Sequence, residues 1–250
     1  MTHIPAVEDD KYPIKYRRVL IKISGESLMG AQPYGIDVHF VTQVAKQIVN
    51  VHAHGVDVCL VVGGGNIYRG LAASAQGMER ATADYMGMLA TVMNGLALSS
   101  ALEKQGIETR VVSGLDIPTV CATYDQKACL NDLKKSRILI FVGGTGNPYF
   151  TTDTCAALRA AEMHCELILK GTQVDGVYSD DPKKNKDAVR YDRLTYQDVL
   201  AKNLRVMDAA AIALARESNI AIAVFSLHDE RNLLRVLTHQ GKFTLIQSEG

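Results

Sequence analysis

The sequence predicts an α/β fold in three layers: a mostly parallel central sheet sandwiched between helices. Three observations predict it. Short runs such as Val19-Leu20-Ile21-Lys22-Ile23 and Val58-Cys59-Leu60-Val61-Val62 are apolar almost throughout rather than alternating, the pattern of strands buried on both faces. Longer stretches of helical spacing separate these runs, as the crossovers of a parallel sheet require. Three of the strands run straight into glycine-rich turns, and ligands of such sheets sit beyond the carboxyl ends of the strands.

The elements follow in order. Residues 1–14 read as a flexible lead-in and 15–250 as a single domain. Asp37 is placed to cap a helix that carries Val41, Val44, Ile48 and Val51 at helical spacing and runs to about His54, where Gly55 stops it. Ala81–Lys104 is the longest helical stretch, rich in Met, Leu and Ala. Strands at Glu108–Val112 and Arg137–Val142 enclose a short helix at Gln126–Lys134. A helix at Asp153–Met163 leads to a strand at Leu167–Lys170. Helices at Asp208–Glu217 and Asp229–His239, with strands at Ile220–Phe225 and Thr244–Ile246, complete the chain.

Composition removes some functions. Lys plus Arg and Asp plus Glu both number 27, so no broad basic surface for nucleic acid is expected. No uninterrupted apolar run approaches the ~18 residues of a membrane span, and the first sixteen residues lack a secretory pattern. The five cysteines form no C-x-x-C pair and read as free thiols in apolar segments. A cytoplasmic protein with no membrane or nucleic-acid partner is the expectation. The Met-rich face with Met86, Met88 and Met93 reads as core, with subunit packing as the alternative, and the charged run Lys183–Asp187 as a solvated loop.

The three turns are Lys22-Ile23-Ser24-Gly25-Glu26-Ser27, Gly63-Gly64-Gly65-Asn66-Ile67-Tyr68-Arg69-Gly70 and Gly143-Gly144-Thr145-Gly146-Asn147-Pro148. Glycine lets backbone N–H groups approach an anion closely. One such turn serves equally as a plain connection. Three in one chain, two of them carrying the cations Lys22 and Arg69, point to more than one phosphate group. G-x-x-x-x-G-K-[ST] is absent and no turn completes G-x-G-x-x-G, which excludes a Walker-type NTPase and an ordinary dinucleotide domain.

These turns resemble those of the amino-acid kinase superfamily, and within it the bacterial-type uridylate (UMP) kinases. Besides the first two turns, the resemblance is carried by Ala83-Asp84-Tyr85-Met86-Gly87-Met88-Leu89-Ala90-Thr91, Gly144 to Asp153, Val174-Asp175-Gly176-Val177-Tyr178 and Val206-Met207-Asp208. It implies reversible phosphoryl transfer from ATP to UMP, giving UDP and ADP, in pyrimidine nucleotide biosynthesis. The acceptor-binding part would span about 15–165 and the ATP-binding part about 166–250. Lys22, Ser24 and Gly25 would meet the transferring phosphoryl group. Gly65 and Arg69 would serve the ATP phosphates, with Gly64 beside them on the UMP side. Asp84 and Thr145, Gly146, Asn147, Pro148, Tyr149, Phe150, Thr151 and Thr152 would hold UMP. Thr172, Tyr178 and Asp181 would hold the nucleoside end of ATP. The resemblance also implies a homohexamer, a need for Mg²⁺ with ATP, and allosteric control through UTP inhibition and GTP activation. For GTP, Ser99 and Ser100 stand where an arginine is expected.

UMP brings an ionised nucleophile, since a phosphate monoester has its second pKa at about 6, so no general base is required. The difficulty is two anions meeting, with charge spreading over the equatorial oxygens. Lys22 is the first candidate to stabilise that charge, and Lys170, ending another strand, is a second candidate against a simple edge lysine. Asp153 and Asp208 each begin an expected helix, where the plain reading is an N-cap. The resemblance adds a second role, orienting Lys22 or Lys170 and positioning magnesium, with the metal-contacting carboxylate unassigned. For Asp84, capping and ribose binding stand side by side. Two other functions remain: a superfamily kinase with a carboxylate or carbamate acceptor, and a nucleotide sensor without turnover. The hydroxyls and glycine amides of Thr145 to Asp153 argue against the first, and the joint presence of Lys22, Asp153, Lys170 and Asp208 against the second.

Overall fold

A computed structural model describes residues 13–68, 77–204, 206–229 and 231–248. Its centre is β1 (Arg18–Ile23), whose residues are almost all sealed from solvent because both faces of the strand are apolar. β2 (Asp57–Val62) pairs with it on one side and β6 (Leu167–Thr172) on the other, both parallel. Outward from β2 follow β5 (Ile138–Val142), β3 (Thr109–Ser113) and β4 (Ala122–Thr123). Outward from β6 follow β10 (Ala221–Ser226), β11 (Phe243–Gln247) and β9 (Arg193–Thr195). Within this nine-stranded sheet every pairing is parallel except β10 with β11. β7 (Val177–Tyr178) and β8 (Arg190–Tyr191) form a separate antiparallel pair.

Helices cover both faces, as the continuous apolar strands require. The odd residues Val19, Ile21 and Ile23 of β1 pack with α1 (Val38–Ala53), α2 (Arg80–Glu103) and α7 (Asn232–Leu237). Leu20 lies on the opposite face, in a core shared with α3 (Gln126–Leu133), α4 (Thr152–Glu162), α5 (Tyr196–Ala201) and α6 (Ala209–Glu217). The three-layer expectation is met. All five cysteines are free and buried.

The differences have local causes. α2 starts at Arg80 because the Glu79 carboxylate caps it, accepting from Ala81 N and Thr82 N. By length and composition α2 alone among the described helices passes for a membrane span, yet half of its most apolar window is packed inside the fold. Of its methionines only Met88 is core; Met86 and Met93 are exposed, correcting the reading of one buried Met face. α7 is shorter than expected because Asp229 first closes a turn onto Arg231 N and Asn232 N, and His239 at φ +59° lies in left-handed space beyond the helix end. β4, β7, β8, β9 and α5 are too short to carry a periodic signal. The lead-in falls outside the described residues except for residues 13 and 14, and there Ile14 already packs on the core.

Candidate active site

Lys22 and Lys170 occupy matching positions on the adjacent strands β1 and β6. Both point past the carboxyl end of the sheet toward the N-terminal turn of α4, where Asp153 receives them. Lys22 Nζ lies 2.7 Å from Asp153 Oδ1, and Lys170 Nζ donates to Oδ2 at 2.7 Å. Burial alone would push the Asp153 carboxyl up, but the Lys22 and then the Lys170 ammonium outweigh it and hold it below its ordinary value. Burial lowers Lys170, and the charge of Lys22 adds to this, while Asp153 pulls the other way. Lys170 also donates to the Val206 carbonyl. Asp153 is not the N-cap of its helix. Thr151 is, its hydroxyl accepting from Asp153 N and Thr154 N, so the carboxylate is left free to bridge the lysines.

Asp208 does cap α6, accepting from Ala211 N at 2.9 Å, and it does not touch either lysine. The Thr151 hydroxyl and the Thr154 hydroxyl both donate to its carboxylate, Thr154 at 2.9 and 3.0 Å. The starts of α4 and α6 are thereby fastened together beside the lysine pair.

The glycine turns converge on the same edge. Ser24 opens a 3₁₀ turn at Gly25–Met29, and its hydroxyl accepts from Ser27 N. A Cβ on Gly25 would fall 2.6 Å from both Gly65 N and Asn66 Oδ1, so the first two turns touch through backbone. The Cβ side of Gly64 is filled by α2, at Gly87 O and Ala90 Cβ. Among the described residues, a Cβ added to Gly65 would meet nothing nearer than Glu26 Cγ at 3.8 Å. Behind the second turn, Asn66 and Asn94 form a buried reciprocal amide pair. Asn94 Nδ2 donates to Asn66 Oδ1 and to Gly63 O, each at 2.7 Å; Asn66 Nδ2 donates to Asn94 Oδ1 at 3.0 Å and to Gly35 O at 2.8 Å. Arg69 lies outside the described residues.

The expected acceptor segment follows β5. Gly143, Gly144 and Gly146 take φ of +70°, +56° and +79°, a path open to glycine at little cost. Thr145 and Asn147 satisfy one another locally, and Pro148 leads to Tyr149 and Phe150, both more than half exposed. Tyr149 is held at φ +72°, rare for an aromatic residue. Three contacts fix it. Its N–H donates to Asp84 Oδ2 at 2.8 Å, Arg80 pairs with Asp84 at 2.9 Å, and the Arg80 guanidinium lies 5.4 Å from the Tyr149 ring centre. The capping reading of Asp84 is therefore wrong: Glu79 caps α2, and Asp84 bridges α2 to the loop that begins α4. Thr152 is the first residue of α4.

Across β1, a cleft of about 740 Å³ opens over β6 and β10. Lys170 lies at its inner end, and Thr172, Tyr178 and Asp181 all line it. Thr172 closes a turn with Val174, its hydroxyl donating to Val174 O and accepting from Val174 N. Tyr178 donates to Asp175 Oδ1 at 2.6 Å, a bond that raises the phenol pKa. Asp181 accepts from Lys183 N and starts the exposed turn at Lys183–Asp187. The sheet order thus places Lys22 and Lys170 between the glycine turns after β2 and β5 and the cleft over β6 and β10.

Sequence reasoning missed Thr91, Asn94, Thr154 and Arg80. The first three were legible only as polar residues on the buried faces of two helices, Thr91 and Asn94 on α2 and Thr154 on α4, without their partners. Arg80 was not, because its role depends on a loop far away in sequence.

The sequence model of the amino acid kinase family matches residues 17–226, from just before β1 to the end of β10, and the chain belongs to that family. Relatives of high identity include uridylate kinases. That of Paramagnetospirillum magneticum is 55% identical over 235 residues, covering 94% of this chain and 98% of the relative. That of Roseobacter denitrificans is 57% identical over 232 residues, 93% and 96% of the two chains. The crystal structure of UMP kinase from Ureaplasma parvum superposes with a TM-score of 0.88 at 41% identity, covering 93% of this chain and 99% of the other.

Proposed function

We propose that the chain is a uridylate kinase that transfers a phosphoryl group from ATP to UMP. The observation that carries the mechanism is the pair of lysines sharing Asp153, set between the acceptor turns and the cleft. UMP would lie over Gly64, Asp84 and Thr145–Thr152, and ATP in the cleft at Thr172, Tyr178 and Asp181, with its phosphates toward Gly65, Arg69, Ser24 and Gly25. The dianionic acceptor attacks directly. The fixed ammonium groups of Lys22 and Lys170 and the glycine amides stabilise the charge gathering on the transferring group. Asp153 positions both lysines and takes no proton, since its carboxyl is held below the ordinary range. Asp208 acts further back, holding the α4 start. In this reading residues up to about 165 form the acceptor part and those from 166 the ATP part, with β1 between.

Magnesium enters this reading with ATP as part of the substrate, where it neutralises phosphate charge. Among the described residues no three of His, Cys, Asp and Glu cluster as a metal cage. Asp153 is engaged by two lysines and Asp208 by two hydroxyls and an amide, so the donor set does not fit a resident ion. Self-association, with a homohexamer as the specific proposal, is supported by an exposed apolar stripe on α2: Tyr85, Leu89, Met93 and Leu96. UTP inhibition follows if UTP competes for the uridylate site. For GTP activation Arg110 and Arg137 are the candidate contributors, and both are paired with Asp132 and, for Arg137, Glu108. A cytoplasmic setting suits five free thiols. The carboxylate-acceptor and sensor alternatives receive no support from the relatives.

The test is a coupled ADP-release assay over nucleoside monophosphates and small carboxylates, with and without magnesium. Selective, magnesium-dependent turnover of UMP is the expected result; preference for a carboxylate would refute the proposal.

A further inference from the structure

Two polar side chains on the buried face of α2 each meet one glycine turn. Asn94 holds the turn after β2, as described above. Thr91, one helical turn earlier, is 2% exposed and reaches the turn after β5. Its Oγ1 donates to Met88 O at 2.6 Å and accepts from Gly143 N at 2.7 Å. A hydroxyl has one proton, and Met88 takes it, so the oxygen faces Gly143 as an acceptor.

The position of that turn needs an external support. Left-handed glycines at 143, 144 and 146 carry the chain out of the strand ladder, which can no longer set its height above the sheet. Within the turn, Gly146 N returns to Gly143 O at 3.0 Å, which fixes its shape but not its place. Gly114 packs against Gly144 and Gly146 from one side. The Cys155 thiol, a weak donor, reaches Gly144 O from α4 at 3.2 Å. Thr91 supplies the strong bond from the α2 side, to a buried amide.

We propose that Thr91 is a positioning residue for the acceptor: its hydroxyl holds Gly143 N and so sets the height of the 143–146 turn, from behind and without touching substrate. The inference rests on reading Thr145–Thr152 as the acceptor segment. If the turn relaxes, the amides of the turn and the Thr145–Asn147 stretch that follows it shift, ahead of the anchors at Tyr149 and Thr151, whereas the cleft lies across β1 on other strands and is untouched.

Thr91→Ser keeps the oxygen and Thr91→Ala removes it, both lacking the methyl group, so the pair differs by one atom. Steady-state kinetics with both substrates varied should leave the Ser variant within about twofold of the parent. The Ala variant should raise KM for UMP by ~10-fold, with KM for ATP within about twofold. Equal KM for UMP in the two variants, or a rise in both KM values in the Ala variant, overturns the proposal. Should Thr91→Ala fail to fold, Thr91→Cys carries the comparison: its thiol is a weak acceptor, and a KM for UMP equal to that of the Ser variant is the overturning result. A parent protein that does not phosphorylate UMP would refute the acceptor reading instead, so the two failures are distinct.

Discussion

Lys22 and Lys170 stand in register on adjacent parallel strands, and their two ammonium groups share the single carboxylate of Asp153. Side by side, such charges repel and resist burial; the shared carboxylate makes the arrangement tolerable. The Asp208 carboxylate also acts on Lys170 from the start of α6, so the two ammonium groups are held between two carboxylates. The pairing also fixes direction, since each lysine holds a different carboxylate oxygen and both are drawn toward the N-terminus of α4.

Asp153→Asn removes the charge that both lysines share and leaves two buried ammonium groups facing each other. It is expected to cost about 3 kcal/mol or more, the scale of breaking a buried ion pair from one side. Urea unfolding at neutral pH reads this as a lower midpoint. A midpoint equal to that of the parent would show that the lysines find other partners.

The same carboxyl gives a pH dependence. Its folded-state pKa lies below the ordinary value, so the unfolded chain takes up the proton at the higher pH. The stability it contributes is whole above the unfolded value, about 3.9, and drains as pH falls through the folded value. The asparagine variant lacks this carboxyl contribution. The gap in unfolding free energy between parent and Asp153→Asn should be flat near neutrality and narrow as pH falls below about 4. A gap that widens in acid contradicts the assignment.

Lys22→Ala leaves Lys170 and Asp153 as an intact pair, so the fold should persist. Turnover should fall by ~10²-fold or more, the scale of losing one preorganised electrostatic group. Near-parental turnover in a folded variant would remove Lys22 from the transfer step.

Much of this arrangement is legible in the sequence, and the reasons it is, or is not, are physical. Lys22 and Lys170 show themselves because a lysine ending an apolar strand needs a partner, and the strands announce themselves by continuous β-branched runs. Which partner they find is not visible, because it depends on the register between β1 and β6 and on the capping of α4. Thr151 is the decisive residue there. A hydroxyl two positions before Asp153 takes the capping role, and nothing in the local pattern says which of the neighbouring Thr, Thr and Asp residues will win it. Asp84 failed as a cap for the same reason, with Glu79 placed earlier. The glycine turns are readable as clusters, whereas the role of the residues behind them, Thr91 and Asn94, emerges only once α2 is laid against β2 and β5.

Asp84→Asn keeps an oxygen for Tyr149 N but loses the charge that pairs with Arg80. KM for UMP should rise by roughly 3- to 10-fold, the worth of a charge-assisted bond reduced to a neutral one, with a smaller effect on kcat. An unchanged KM for UMP would detach Asp84 from the acceptor.

Gly25 and Gly65 separate packing from access at the same edge of the sheet. A Cβ on Gly25 meets Gly65 N and Asn66 Oδ1 at 2.6 Å and Gly63 C at 3.0 Å, so Gly25→Ala must push two turns apart at the backbone. That should destabilise the protein by about 1–3 kcal/mol, as overpacking does, and lower turnover with both substrates. Among the described residues a Cβ on Gly65 meets only Glu26 Cγ at 3.8 Å, an ordinary contact, and Gly65 has no left-handed φ. Gly65→Ala should therefore melt within about 0.5 kcal/mol of the parent. On the proposed function its methyl group enters the space of the ATP phosphates, so KM for ATP should rise by ~10-fold or more while stability stays put. Parental ATP kinetics in that variant would mean the phosphates never approach this turn, and the donor would have to be placed elsewhere along the cleft.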